Sequence, residues 1–136
     1  MILTDAGPLV ALADARDTRR LDCQFALRRL VPPMVTVMPA FAEAMYLLGR
    51  RSGWRAQQAL WQRLTTGTLQ LGELDAPDLA RARELMLQYS DLPMDFADAT
   101  VVAYAERHNL REIFTLDRRD FSVYRLRGRT RFAIFP

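Results

Sequence analysis

The chain has 136 residues, half of them hydrophobic, with a formal net charge of +3 and a pI near 9.6; that length supports one compact domain with its own core and is too short for two, so residues 1–136 are expected to form a single domain. No apolar run approaches the ~20 residues that cross a bilayer, and the opening MILTDAGPLVALAD lacks the basic start of a signal peptide, so no membrane and a cytoplasmic location are expected. Cys23 is the only cysteine, which excludes an intrachain disulfide and a cysteine zinc cluster.

All 19 basic residues are arginine. The absence of lysine excludes a P-loop lysine, a Schiff base and a lysine general base. Arginine favours planar, bidentate pairing with phosphates or carboxylates, and a mildly basic chain is compatible with nucleic acid without implying it. His108 is the sole histidine, beside Asn109 near a helix end, where a cation suits the helix dipole. Ser52, Ser90 and Ser122 are the only serines, and none stands in a nucleophile-elbow sequence. Any reaction here must be carried by carboxylates.

Ile2 to Thr4 reads as a short strand ending at Asp5, and Gly7-Pro8 turns the chain into a helix, Pro8 suiting its first turn. In a parallel sheet the residues just past strand C-termini line the binding crevice, which would point Asp5 toward a site; capping of the helix is its simpler role. Asp14 to Leu30 is expected to hold an amphipathic helix with Leu21, Phe25, Leu27 and Leu30 inward and its arginines in solvent. After Pro32-Pro33, Met34 to Met38 (MVTVM) reads as a buried strand. The next helix is nearly all apolar except for Glu43. A lone acid in such a run is costly unless it is paired or binds a metal.

Trp54, Ala59, Leu60, Trp61 and Leu64 form a helical stripe suited to core or interface. Leu69 to Leu74 fits a short strand, and Asp75 should cap a helix with Leu79, Ala82, Leu85 and Met86 inward. Asp75, Asp78 and Glu84 are expected to cap or to lie on the surface. The following unit, DLPMDFADATVVAYAERHNLREIFTLD, spans Asp91 to Asp117. Asp95 and Asp98 share the first turn of its helix; we expect Asp95 to cap and Asp98 to face the crevice. Ile113 to Leu116 is the next strand, and Asp117 either caps the turn through Asp120 or enters the site. Arg127 to Arg131 is a basic loop before a terminal edge strand, Phe132 to Phe135. Alternating strands and helices give an α/β fold with a mostly parallel sheet, which would bring Asp5, Glu43, Asp98 and Asp117 to one edge.

Four segments now carry a resemblance: ILTDAGPLVALAD, PAFAEAMYLL, LPMDFADATVVAYAE and IFTLDRRDF. Over nearly its whole length the chain resembles the PIN-domain ribonucleases, specifically the VapC toxins of bacterial toxin–antitoxin pairs. The resemblance implies a PIN-like α/β/α sandwich and a catalytic quartet of Asp5, Glu43, Asp98 and Asp117. It also implies Mg2+ or Mn2+ as cofactor and hydrolysis of RNA phosphodiester bonds. Asp5 and Asp98 would be the main metal contacts, with Glu43 and Asp117 orienting water or holding a second ion. Asp98 matches the family's helix aspartate better than Asp95 does. Thr115 matches a hydroxyl residue common before the fourth acid, and Gly7 stands where a serine is often found. The implied partners are a VapB-type antitoxin and a second copy of the chain, with contacts expected around Phe41 to Leu48 and Trp54 to Leu64. Oxygen-only ligands agree with a hard divalent cation.

Three rivals differ from this reading. A phosphoacceptor receiver domain needs a lysine, which the chain lacks. A PIN-like RNA- or protein-binding module without catalysis has no need of an intact acidic quartet. A structure-specific DNA nuclease of this architecture would carry an added helical arch or DNA-binding segment.

Overall fold

The strand Ile2–Thr4 (β1) forms the centre of the sheet in the computed structural model, which describes residues 1–136. The chain continues through α1 (Ala6–Ala13), α2 (Arg20–Leu27), β2 (Met34–Val37), α3 (Met38–Arg51), α4 (Trp54–Thr65), β3 (Leu69–Gly72) and α5 (Ala76–Gln88). Then come α6 (Phe96–His108), β4 (Glu112–Phe114), α7 (Arg118–Val123), β5 (Arg125–Leu126), β6 (Thr130–Arg131) and β7 (Ala133–Phe135). Five strands form one sheet in the order β3-β2-β1-β4-β7, and every pairing in it is parallel. Parallel neighbours need crossover helices, which cover both faces.

Strand periodicity divides the core in two. Successive side chains point to opposite faces, so Ile2, Met34 and Phe114 join Leu9, Cys23, Leu48 and Leu60 under α1 to α4. Leu3, Val35 and Ile113 join Leu85, Val101, Val102, Phe121 and Tyr124 under α5 to α7. Between α5 and the sheet, α6 is buried from Ala97 through Glu106. Its alanines permit that close approach on all sides. The helix ends at Asn109, whose φ of 54° is the left-handed stop that asparagine tolerates.

Several expectations on local structure need correction. Helix α2 is only Arg20–Leu27, and Leu21 and Phe25 are 77% and 64% exposed. The stripe that faces the core is Cys23, Ala26 and Leu30, with Leu27 partly buried against it; small residues let this short helix sit close on α1. Leu79 and Met86 are exposed on α5, where Ala82 and Leu85 face inward. Asp78 does cap α5 in a reciprocal box with Asp75, but it is buried, and Arg107 Nη2 lies 2.7 Å from its Oδ2. The expected basic loop is a two-stranded hairpin of β5 and β6. It is pinned by Glu106, whose Oε1 accepts from the Arg127 backbone N–H at 2.6 Å and from Arg81 Nη2 at 3.1 Å.

One contact has a measurable consequence. A Cβ on Gly72, at the end of β3, would lie 2.4 Å from Cζ of the buried Tyr104. The Tyr104 ring is itself held against His108, with centroids 4.1 Å apart. Gly72→Val is therefore expected to destabilise the fold by about 1–3 kcal/mol through overpacking. Thermal unfolding should show a drop of roughly 2–15 °C; an unchanged melting temperature would mean that Tyr104 is free to move aside.

Candidate active site

Asp5 is the first residue after β1 and caps α1, its Oδ1 accepting from the Ala6 N–H at 2.7 Å. Its Oδ2 accepts from Thr115 Oγ1 at 2.8 Å, and the same hydroxyl oxygen accepts from the Asp117 N–H at 3.0 Å. Thr115 follows β4, so one buried hydroxyl fixes the acids that leave two neighbouring strands. Asp117 in turn caps α7, accepting from the Asp120 N–H at 3.0 Å. On the other wall, Asp95 caps α6 by accepting from the Asp98 N–H at 2.8 Å. Asp98, 9% exposed, accepts from Tyr124 Oη at 2.9 Å. Glu43 projects from α3, partly buried, and takes part in none of the ion pairs of the fold.

These elements converge on a cleft of about 450 Å³ at the C-terminal edge of the sheet. Asp5, Glu43, Asp95, Asp98, Asp117 and Asp120 all line it together with Gly7, and no basic side chain is among the lining residues. Carboxylate oxygens of Asp98, Asp117 and Asp120 lie within 4.8 Å of one another. All four acids expected at the edge therefore meet there. Asp95 joins them at the rim while serving as a cap.

Asp120 is the acid that sequence reasoning left out of the site. Its signal was available: it follows the helix cap Asp117 by three residues, a spacing that returns a side chain to the same face.

Crowding shows in the electrostatics. Burial pushes the Asp98 carboxyl up to about 8, with further upward pressure from Asp5 and Asp95 and partial relief from the Tyr124 hydrogen bond. Burial also raises Asp5, against the stabilising bonds from Ala6 and Thr115, and the charges of Asp95 and Asp117 add to the rise. Glu43 is raised by burial and then by Asp95 and Asp5, and Asp120 by burial and then by Asp117. Like charges with no basic residue among those lining the cleft favour either protonation or an external cation.

Comparison with known proteins places this arrangement. The PIN domain family matches residues 2–126. The chain is also 30% identical over 135 residues to Ribonuclease VapC26 of Mycobacterium tuberculosis, covering 99% of this chain and 100% of that protein. The chain is a PIN-domain protein of the VapC family. Solved structures share the fold of this PIN domain. The crystal structure of VapC20 of Mycobacterium tuberculosis, a sarcin–ricin loop cleaving toxin, has a TM-score of 0.76 at 23% identity, covering 83% of this chain and 87% of that one. A toxin–antitoxin complex from Klebsiella pneumoniae gives 0.69 at 21% identity, with coverages of 90% and 92%. FitAcB from Neisseria gonorrhoeae gives 0.64 at 18% identity, with coverages of 100% and 97%.

The donor set of this PIN domain fits a hard divalent cation. It offers carboxylate oxygens without a competing ammonium or guanidinium, and leaves room for the waters that Mg2+ or Mn2+ retains. No helix is long and apolar enough to cross a membrane.

Proposed function

We propose that this PIN domain, acting as one unit over residues 1–136, is the toxin of a type II toxin–antitoxin pair and a Mg2+- or Mn2+-dependent endoribonuclease. The observation that carries the reading is the cleft itself: six carboxylates and no basic lining residue, at the edge of a parallel sheet where ligands of such folds bind. The likeness to Ribonuclease VapC26 supports RNA as the substrate.

In this reading Asp5 and Asp98 hold the cation, with Asp117, Asp120 and Glu43 completing the cleft. Bound there, a divalent ion would supply a water of lowered pKa and offset charge on the phosphate. The protein supplies position. Thr115 and the Ala6 N–H keep Asp5 in one orientation, and Asp95 fixes the first turn of α6, from which Asp98 projects. Glu43 has no ion pair to hold it and stands in the cleft as the acceptor for a proton from an attacking water.

The partners in this reading are a VapB-type antitoxin and a second copy of the chain, in the cytoplasm. Exposed Tyr46 of α3, with Trp54 and Trp61 of α4, would supply those contacts; they are 61%, 63% and 43% exposed. Aromatic side chains of this kind are enriched at interfaces.

The test is cleavage of several RNAs and a matched DNA by antitoxin-free protein with Mg2+, Mn2+ or a chelator. Metal-dependent scission of RNA alone is the expected result. Intact RNA throughout would overturn the enzymatic reading in favour of a binding module, and equal scission of DNA would overturn the assignment of RNA.

A further inference from the structure

Tyr124 lies immediately after α7, and no part of it is exposed to solvent. Its ring packs edge-to-face on Tyr89, at 5.2 Å and 64°, and on Phe121, at 5.1 Å and 76°. With the ring clamped on two sides, the hydroxyl has one direction available, and it donates to Asp98 Oδ2 at 2.9 Å. An unperturbed tyrosine hydroxyl keeps its proton up to about pH 10, so it is the donor in this bond whenever the Asp98 carboxylate is ionised, the form that binds a cation. It engages one oxygen of Asp98 and leaves Oδ1 as the oxygen without a protein partner.

The bond also joins the two walls of the cleft. Asp98 belongs to α6, whereas Asp117 and Asp120 belong to the cap and first turn of α7. The Tyr124 N–H donates to the Asp120 carbonyl at 3.2 Å, which ties the tyrosine to the helix that carries those acids. The oxygens of Asp98, Asp117 and Asp120 come within 4.8 Å of one another across this junction. Apart from Tyr124, no side chain hydrogen-bonds the Asp98 carboxylate.

We propose that Tyr124 is a positioning residue for Asp98, a phenolic crossbar that sets the carboxylate's orientation and its spacing to Asp117 and Asp120, and through them the affinity of the cleft for a divalent cation. It touches neither RNA nor the cation. The inference rests on the reading of the cleft as a cation site and adds a residue to it. Outer partners that orient metal ligands typically govern affinity by about 10- to 100-fold.

The experiment is a Mn2+ titration without RNA, followed by calorimetry or by the paramagnetic resonance signal of free Mn2+. Wild type, Tyr124→Phe and Tyr89→Phe are compared, and each is also melted in EDTA. Phe keeps the packed ring and removes only the hydroxyl. The expected result is a Mn2+ Kd about 10-fold or more higher in Tyr124→Phe and unchanged in Tyr89→Phe. The melting temperature of Tyr124→Phe in EDTA should shift by no more than about 5 °C, as befits the loss of one hydrogen bond.

Equal Mn2+ affinity in wild type and Tyr124→Phe would overturn the positioning role and leave the cation site standing. Weaker binding that tracks a large loss of stability in EDTA would also overturn it, because the tyrosine would then act through the fold. Absence of Mn2+ binding by wild type would bring down the cation reading and this inference together.

Discussion

Asp98→Asn is expected to lower metal-dependent RNA cleavage by at least about 100-fold, above the range seen when only an outer partner of a metal ligand is lost. Asn preserves size and can still accept from Tyr124, so the side chain stays in place while the negative oxygen is lost. Asp98 is the most deeply set acid on its wall of the cleft, in contact by charge with Asp5, Asp95 and Asp117. The informative comparison is Asp95→Asn. Asp95 is exposed and its visible task is to cap α6, which asparagine does equally well. That variant should retain cleavage within several-fold of wild type. Initial rates at saturating Mn2+ measure both; full activity in Asp98→Asn would remove Asp98 from the machinery, and equal losses in the two variants would erase the distinction between cap and ligand.

The metal-free protein should lose stability as pH rises from about 4 to 8. Asp98 carries an ordinary carboxyl value of 3.8 in the unfolded chain and about 8 in the fold. Between those values the folded state holds a proton that the unfolded state has released, so rising pH favours unfolding. Asp5, Glu43 and Asp120 are raised as well and contribute with the same sign. Asp14 and Asp78 are held below the usual range; their stabilisation is present above the ordinary carboxylate value and is lost at more acid pH, below this window.

Divalent metal should reverse the trend, because it binds the deprotonated carboxylates and adds stability as they ionise. At one hundred times its Kd a ligand of the folded state contributes about 2.7 kcal/mol. For a chain of this length that is a rise of roughly 5–15 °C in melting temperature. Melting in EDTA and in Mn2+ across pH 5 to 8 checks both slopes. A flat or rising profile in EDTA would mean that the cleft acids are not crowded as the geometry requires, and no shift with Mn2+ would argue against a cation site.

Two levels of organisation contributed differently to this picture. Buried runs such as MVTV, the proline and aspartate at helix starts, and acids placed after strands are local signals with fixed physical meaning. From them the parallel α/β layout, the strand positions, the capping by Asp95 and the convergence of Asp5, Glu43, Asp98 and Asp117 on one edge were legible. The resemblance to VapC toxins rested on the same segments, and the family match confirms it.

Other features depend on contacts between distant segments. Leu21 and Phe25 fit an apolar face by composition, yet the helix turns Cys23 and Ala26 inward, with Leu27 and Leu30 completing the buried stripe. Asp78 looked like a surface cap, yet it is buried, with the exposed guanidinium of Arg107, from another helix, lying over it.

By itself the sequence determined which residues could do chemistry and which elements would carry them, because residue type, spacing and periodicity are local properties of the chain. Only the tertiary structure decided what holds those residues. The hydroxyl of Thr115 reaches Asp5 across 110 positions and that of Tyr124 reaches Asp98 across 26. Such bonds form because the parallel sheet sets β4 beside β1 and the turn after α7 packs on α6, juxtapositions that no local pattern encodes.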